Sequence, residues 1–145
     1  MKLSKNNEKK ISDFFKNKPE IAAVYLYGSY AKNTARKDSD IDIAVLVRDR
    51  KSFNGFDIPQ TRYLYDLSRL LKSEVEVVDL EHSPIDFAYR VISEGKLLLG
   101  LESEKRVKYE ESILQRYFDM KPAIDEYFYQ LRQIAKKGDL GARYI

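Results

Sequence analysis

The chain has 145 residues, with no cysteine, one histidine, and 26 lysines and arginines against 23 aspartates and glutamates, for a net charge of +3. That length supports one domain with a real core and not two, so residues 1–145 are read as a single domain. Without cysteine there are no disulfides, zinc–thiolate sites or thiol nucleophiles, and His82 alone cannot build a histidine cage or a triad, so chemistry must come from carboxylates and hydroxyls.

The interleaved charges argue against a dedicated nucleic-acid surface, and direct nucleic-acid binding is not expected. No apolar run approaches the ~20 residues of a membrane span. The basic start MKLSKNNEKK leads into an amphipathic stretch and not into a signal-peptide core, so the expectation is a cytoplasmic protein with no membrane contact.

Residues 5–17 carry Ile11, Phe14 and Phe15 on one helical stripe and stop before Pro19, which disfavours helix at the residue preceding it. The apolar run 21–27 ends in Gly28, as a buried strand does, and 41–47 is a second strand that alternates before becoming wholly apolar. Asp57, followed by Ile58 and Pro59, reads as an N-cap with proline in the first turn, opening a helix with Leu64, Leu67, Leu70 and Leu71. Residues 74–80 alternate and form a third strand. Ser83 and Pro84 open another helix in the same manner, which Gly95 ends before a short apolar run that suits an edge strand. From Ser103 to Lys137 the pattern is helical, with a break or kink expected near Pro122. The order α-β-α-β-α-β-α-β-α makes this an α/β protein with a small sheet.

The segment that carries chemistry runs from Gly28-Ser29 at the end of one strand, across ten residues, to Asp40-Ile-Asp42 at the head of the next. Side chains at i and i+2 of a strand share a face about 6–7 Å apart, so Asp40 and Asp42 converge while Ile41 and Ile43 enter the core. Two carboxylates on one face repel unless a cation lies between them, and a hard divalent ion such as Mg²⁺ takes oxygen ligands and borrows others from phosphates. Gly28 lets the backbone approach a phosphate, Ser29 offers a hydroxyl, and if residues 30–36 form a short helix its N-terminal amides also point at the anion. A third carboxylate should come from the third strand. Val75 and Val77 take the buried face, which leaves Glu74 and Glu76 opposite. Glu76, in mid-strand, is the choice, and Asp79 is a reserve that reaches the site only if a bulge flips it. His82 reads as a loop or capping residue. Tyr25, Tyr27 and Tyr117 read as core, not as base-stacking platforms.

The segment YGSYAKNTARKDSDIDIAVLV resembles the signature of minimal nucleotidyltransferases of the polymerase-β superfamily, and YEESILQRYFDMKPAIDEYFYQL resembles the helical tail of the MntA-type antitoxins that pair with HEPN ribonuclease toxins. The resemblance covers most of residues 20–131. It implies a small mixed sheet with flanking helices and a C-terminal helical segment, 103–137, packed on it. It further implies Gly28, Ser29 and Lys32 for the triphosphate of ATP, and Asp40, Asp42 and Glu76 as catalytic carboxylates and Mg²⁺ ligands. The implied reaction is adenylylation of a tyrosine on a HEPN-family toxin, in a hetero-oligomer with that toxin. Lys32 and Asn33 stand where Arg-Gly is usual; Asn tolerates a left-handed turn, whereas Lys keeps the charge and loses the bidentate fork. Glu76 stands where aspartate is common and reaches one methylene further. An antitoxin that masks its toxin without catalysis and a small-molecule nucleotidyltransferase stay open as alternatives.

Overall fold

The computed structural model describes residues 1–137; the end of the 1–145 domain lies outside the described residues. Strands β1 (Ile21–Tyr27), β2 (Ile41–Val47), β3 (Val75–Asp79) and β4 (Lys96–Leu99) form one mixed sheet in the order β3-β2-β1-β4. β1 runs antiparallel to β2 and β4, and β2 runs parallel to β3. The short link from β1 to β2 suits an antiparallel pair, while the parallel β2–β3 pair needs a crossover, supplied by α3 (Pro59–Arg62) and α4 (Leu64–Leu71).

Alternation along the strands divides the core in two. One face presents Val24, Leu26, Ile41, Ile43, Val45, Val75 and Val77 to α1 (Lys5–Lys16), α3 and α4, with Ile11, Phe15, Tyr63 and Leu67 filling the layer. The other presents Tyr25, Ala44 and Leu46 to α5 (Ile85–Glu94) and α6 (Glu104–Lys136), through Ala88, Val91 and Ile113. Both faces are therefore apolar, as a central strand such as β2 requires. Tyr25 anchors α6 by donating its hydroxyl to Glu110 at 3.1 Å, and Tyr109 does so by donating to the Leu80 carbonyl at 3.0 Å.

Several local expectations are corrected. Asp57 does not cap the following helix: Ile58 occupies the N-cap, and the Asp57 carboxylate accepts from Arg62 at 2.7 and 2.8 Å, a charge-assisted pair stronger than a cap bond. The expected single helix breaks at Tyr63, whose ring packs among Phe14, Phe15 and Phe53. Pro84, not Ser83, is the N-cap of α5, because the Ser83 hydroxyl donates to the Asp79 carbonyl. The short helix considered at 30–36 lies earlier, as α2 (Gly28–Ala31), closed by Asn33 in the left-handed region, φ 60°, as its residue type allows. α6 continues for 33 residues through Pro122 without the break. Proline costs a helix interior ~3 kcal/mol. Here the turns on either side are held by the stacked rings of Tyr89 and Tyr117 and by the Lys121–Asp125 pair at 2.9 Å.

Candidate active site

The antiparallel register sets Tyr27, the last residue of β1, opposite Asp42, and the parallel register sets Asp42 opposite Glu76. Tyr27, Asp42 and Glu76 therefore form a row across three neighbouring strands, ~5 Å from strand to strand. The row lies on the α5 side of the sheet, where the Tyr27 ring meets Phe87 edge-on at 5.4 Å and Glu76 is open to solvent. Asp40 stands one residue before β2 and is exposed.

The acids crowd Asp42. Burial first, then the Glu76 charge and a hydrogen bond between the two carboxyl groups, then the Asp40 charge, push the Asp42 carboxyl from its ordinary 3.8 up to about 6. Burial and the same two charges, Glu76 and Asp42, hold the Tyr27 hydroxyl well above the ordinary tyrosine value, so it stays a neutral phenol beside two acids. Such a cluster is electrostatically incomplete without a cation.

Gly28 sits at φ 71°, and a Cβ built there would overlap the Asp42 carboxylate oxygen Oδ2 and come within 3.0 Å of its Cγ. Only glycine fits, for two independent reasons: the left-handed backbone and the carboxylate against it. Ser29 follows, its carbonyl accepting from the Thr34 amide at 2.9 Å, which closes the loop toward Asn33. Lys32 reaches across to α5 and pairs with Glu94 at 3.1 Å.

Among the sequence-derived candidates, Gly28, Asp42, Glu76 and Asp40 are thus brought to one end of the sheet, with Ser29 in α2 and Lys32 at its C-terminal end. Asp79 is not. It shares the parity of Val75 and Val77, is 2% exposed, and is bound by the Arg50 guanidinium at 2.5 and 3.1 Å, with His82 at 3.5 Å. Tyr27, read from the sequence as core, packs against the α5-side core as a half-buried residue and is in addition a neighbour of the acids. Its signal was present in its parity with Tyr25, but its partner was not.

The donor set consists of hard oxygens. Among the described residues, no group of three or more acids or histidines is gathered closely enough to hold an ion by itself. Two coupled carboxylates with a third beside them fit a Mg²⁺-sized ion that completes its coordination with water and substrate phosphate.

Residues 9–104 match the family described as polymerase beta, nucleotidyltransferase. The chain belongs to this family. The nucleotidyltransferase is 34% identical, over 99 residues, to the protein adenylyltransferase MntA of Shewanella oneidensis, an alignment spanning 68% of each chain. It superposes with a TM-score of 0.68 and 28% identity on a chain of a toxin–antitoxin crystal structure with AMP-PNP, covering 84% of this chain and 98% of that one. A structure of a tri-AMPylated Shewanella oneidensis HEPN toxin in complex with MNT antitoxin matches with a TM-score of 0.63 and 27% identity, covering 87% of this chain and 99% of that one. The mixed sheet with flanking helices and a long C-terminal helix is the fold these structures share with it. No helix among the described residues is long and apolar enough to cross a membrane.

Proposed function

We propose that this nucleotidyltransferase is a cytoplasmic antitoxin that transfers AMP from ATP to a tyrosine hydroxyl of a HEPN-family toxin. The observation that carries the reading is the contact of Gly28 with Asp42: a residue without a Cβ lets the Gly28-Ser29 backbone lie directly against a carboxylate that is itself crowded by Glu76 and Asp40. The likeness to MntA and to the toxin complexes supports the acceptor class.

In this reading the acceptor oxygen attacks the α-phosphorus in line, the bond to the pyrophosphate oxygen breaks, and the acceptor proton passes to Glu76. Asp40, Asp42 and Glu76 would hold Mg²⁺, which when bound neutralises charge on the phosphates. The Ser29 hydroxyl and the backbone at Gly28 orient the triphosphate, and Lys32 contributes positive charge beside it. The protein's part is placement and electrostatics.

The test is to incubate the protein and its cognate toxin with Mg²⁺ and α-labelled ATP, followed by peptide mapping. Label on a toxin tyrosine is expected, and Asp42→Asn is expected to remove it, by at least ~10²-fold, while the fold is retained. Transfer at the wild-type rate by the Asn variant would defeat the carboxylate assignment. Toxin neutralisation that survives the substitution with no adduct would favour masking by contact.

A further inference from the structure

A pocket of about 210 Å³ opens beside Gly28, walled by Tyr27, Lys32, Phe87, Arg90, Val91 and Glu94. It holds two cations, Lys32 from the loop after β1 and Arg90 from α5, and one acid, Glu94. Glu94 is already paired with Lys32 at 3.1 Å, both side chains about half exposed. Arg90 makes no ion pair or hydrogen bond among the described residues, although it lies in a pocket that adjoins the site of Asp42 and Glu76. Arg90 is exposed and, unpaired among the described residues, presents its guanidinium fork at the mouth of the pocket beside Gly28.

Resting on the reading above, we infer that Arg90 is a ligand of the nucleotide's triphosphate and that Glu94 competes with that triphosphate for Lys32. A guanidinium binds phosphate oxygens with two parallel donors, which a lysine ammonium cannot do, so Arg90 supplies the planar contact that Lys32 lacks. The Lys32–Glu94 pair is solvent-screened and weak, so it yields readily when a polyphosphate enters. The pocket then carries Arg90 and Lys32 on the anion, with Glu94 released. Glu94 thereby sets a brake on nucleotide affinity, and the two residues, one turn apart on α5, act with opposite signs.

The experiment compares binding of Mg²⁺·ATP and of AMP to the full chain by calorimetry for wild type, Arg90→Gln, Arg90→Lys and Glu94→Gln, with transfer kinetics in parallel. Arg90→Gln is expected to weaken ATP about tenfold or more and AMP far less, raising KM with little change in kcat. Arg90→Lys should recover only part of the loss, and Glu94→Gln should tighten ATP a fewfold. An equal loss for AMP would make Arg90 a contact of the base, the ribose or the phosphate that AMP retains, not of the β- and γ-phosphates, and overturn the proposal. So would weaker ATP binding in Glu94→Gln. Arg90 and Glu94 also line the groove between α5 and α6, so unchanged ATP affinity with weakened toxin capture in Arg90→Gln would assign the arginine to the acceptor instead. If wild type bound no ATP, the reading of the Gly28 site would fail first and the proposal with it, a result distinct from wild-type binding that Arg90→Gln leaves intact.

Discussion

Glu76 and Asp79 stand three positions apart on β3, and strand alternation sends them to opposite faces. Glu76 faces Asp42, whose carboxyl it crowds and shares a hydrogen bond with; Asp79 is buried and held by Arg50. The two substitutions should therefore separate cleanly. Glu76→Gln removes a charge that crowds Asp42, so it is expected to lower single-turnover transfer by ~10²-fold while leaving the melting temperature in metal-free buffer unchanged or higher. Asp79→Asn strips a charge-assisted bidentate contact from a buried site, so it is expected to cost about 1–3 kcal/mol, a drop of several degrees, with turnover much less affected. Kinetics and thermal melts on the same preparations decide it; a larger kinetic loss at Asp79 would reverse the roles. Alternation made the parity of both residues legible in the sequence. The Arg50 partner, 29 residues from Asp79, was not legible, because nothing local to either residue points to the other.

At the scale of the element, α6 divides at Pro122. Its first half is fastened by Ile113, by the Tyr25–Glu110 bond and by the stack of Tyr117 on Tyr89. Its second half exposes large apolar side chains, including Phe128, half of whose surface is open. An apolar stripe that the parent domain does not use marks a partner surface, and the groove of about 830 Å³ between α5 and this half-helix includes Tyr89, Met120, Ile124 and Phe128. Because Phe128 contributes little to the core, Phe128→Asp is expected to leave the melting temperature and ATP affinity within error of wild type. The same change should weaken capture of the cognate toxin by about tenfold or more, measured by surface plasmon resonance. Undiminished capture would place the toxin elsewhere. Helical periodicity announced α6 and its apolar stripe; how much of the stripe the domain itself covers depended on where α5 packs.

For the whole molecule, the sheet is closed on both faces by residues before Pro122, so a chain ending at Met120 is expected to keep ATP binding and a melting temperature within a few degrees of the full chain while losing toxin capture. A truncated chain that failed to fold, judged by calorimetry, would make the second half of α6 part of the core after all. The sequence by itself determined the four strands, the helices between them, the glycine at the end of β1 and the parity that groups Asp42 with Glu76, because each is a matter of alternation or turn chemistry within a few residues. It also carried the spacing from Gly28-Ser29 to Asp40 and Asp42 that marks the family. Only the tertiary structure decided that Tyr27 lies beside Asp42, that Gly28 touches the Asp42 carboxylate, that Lys32 meets Glu94 and that Arg90 is left without a partner. Those contacts join residues up to 62 positions apart, as Lys32 to Glu94 on α5, and their register is fixed by burying two apolar sheet faces at once, which no short stretch of chain encodes.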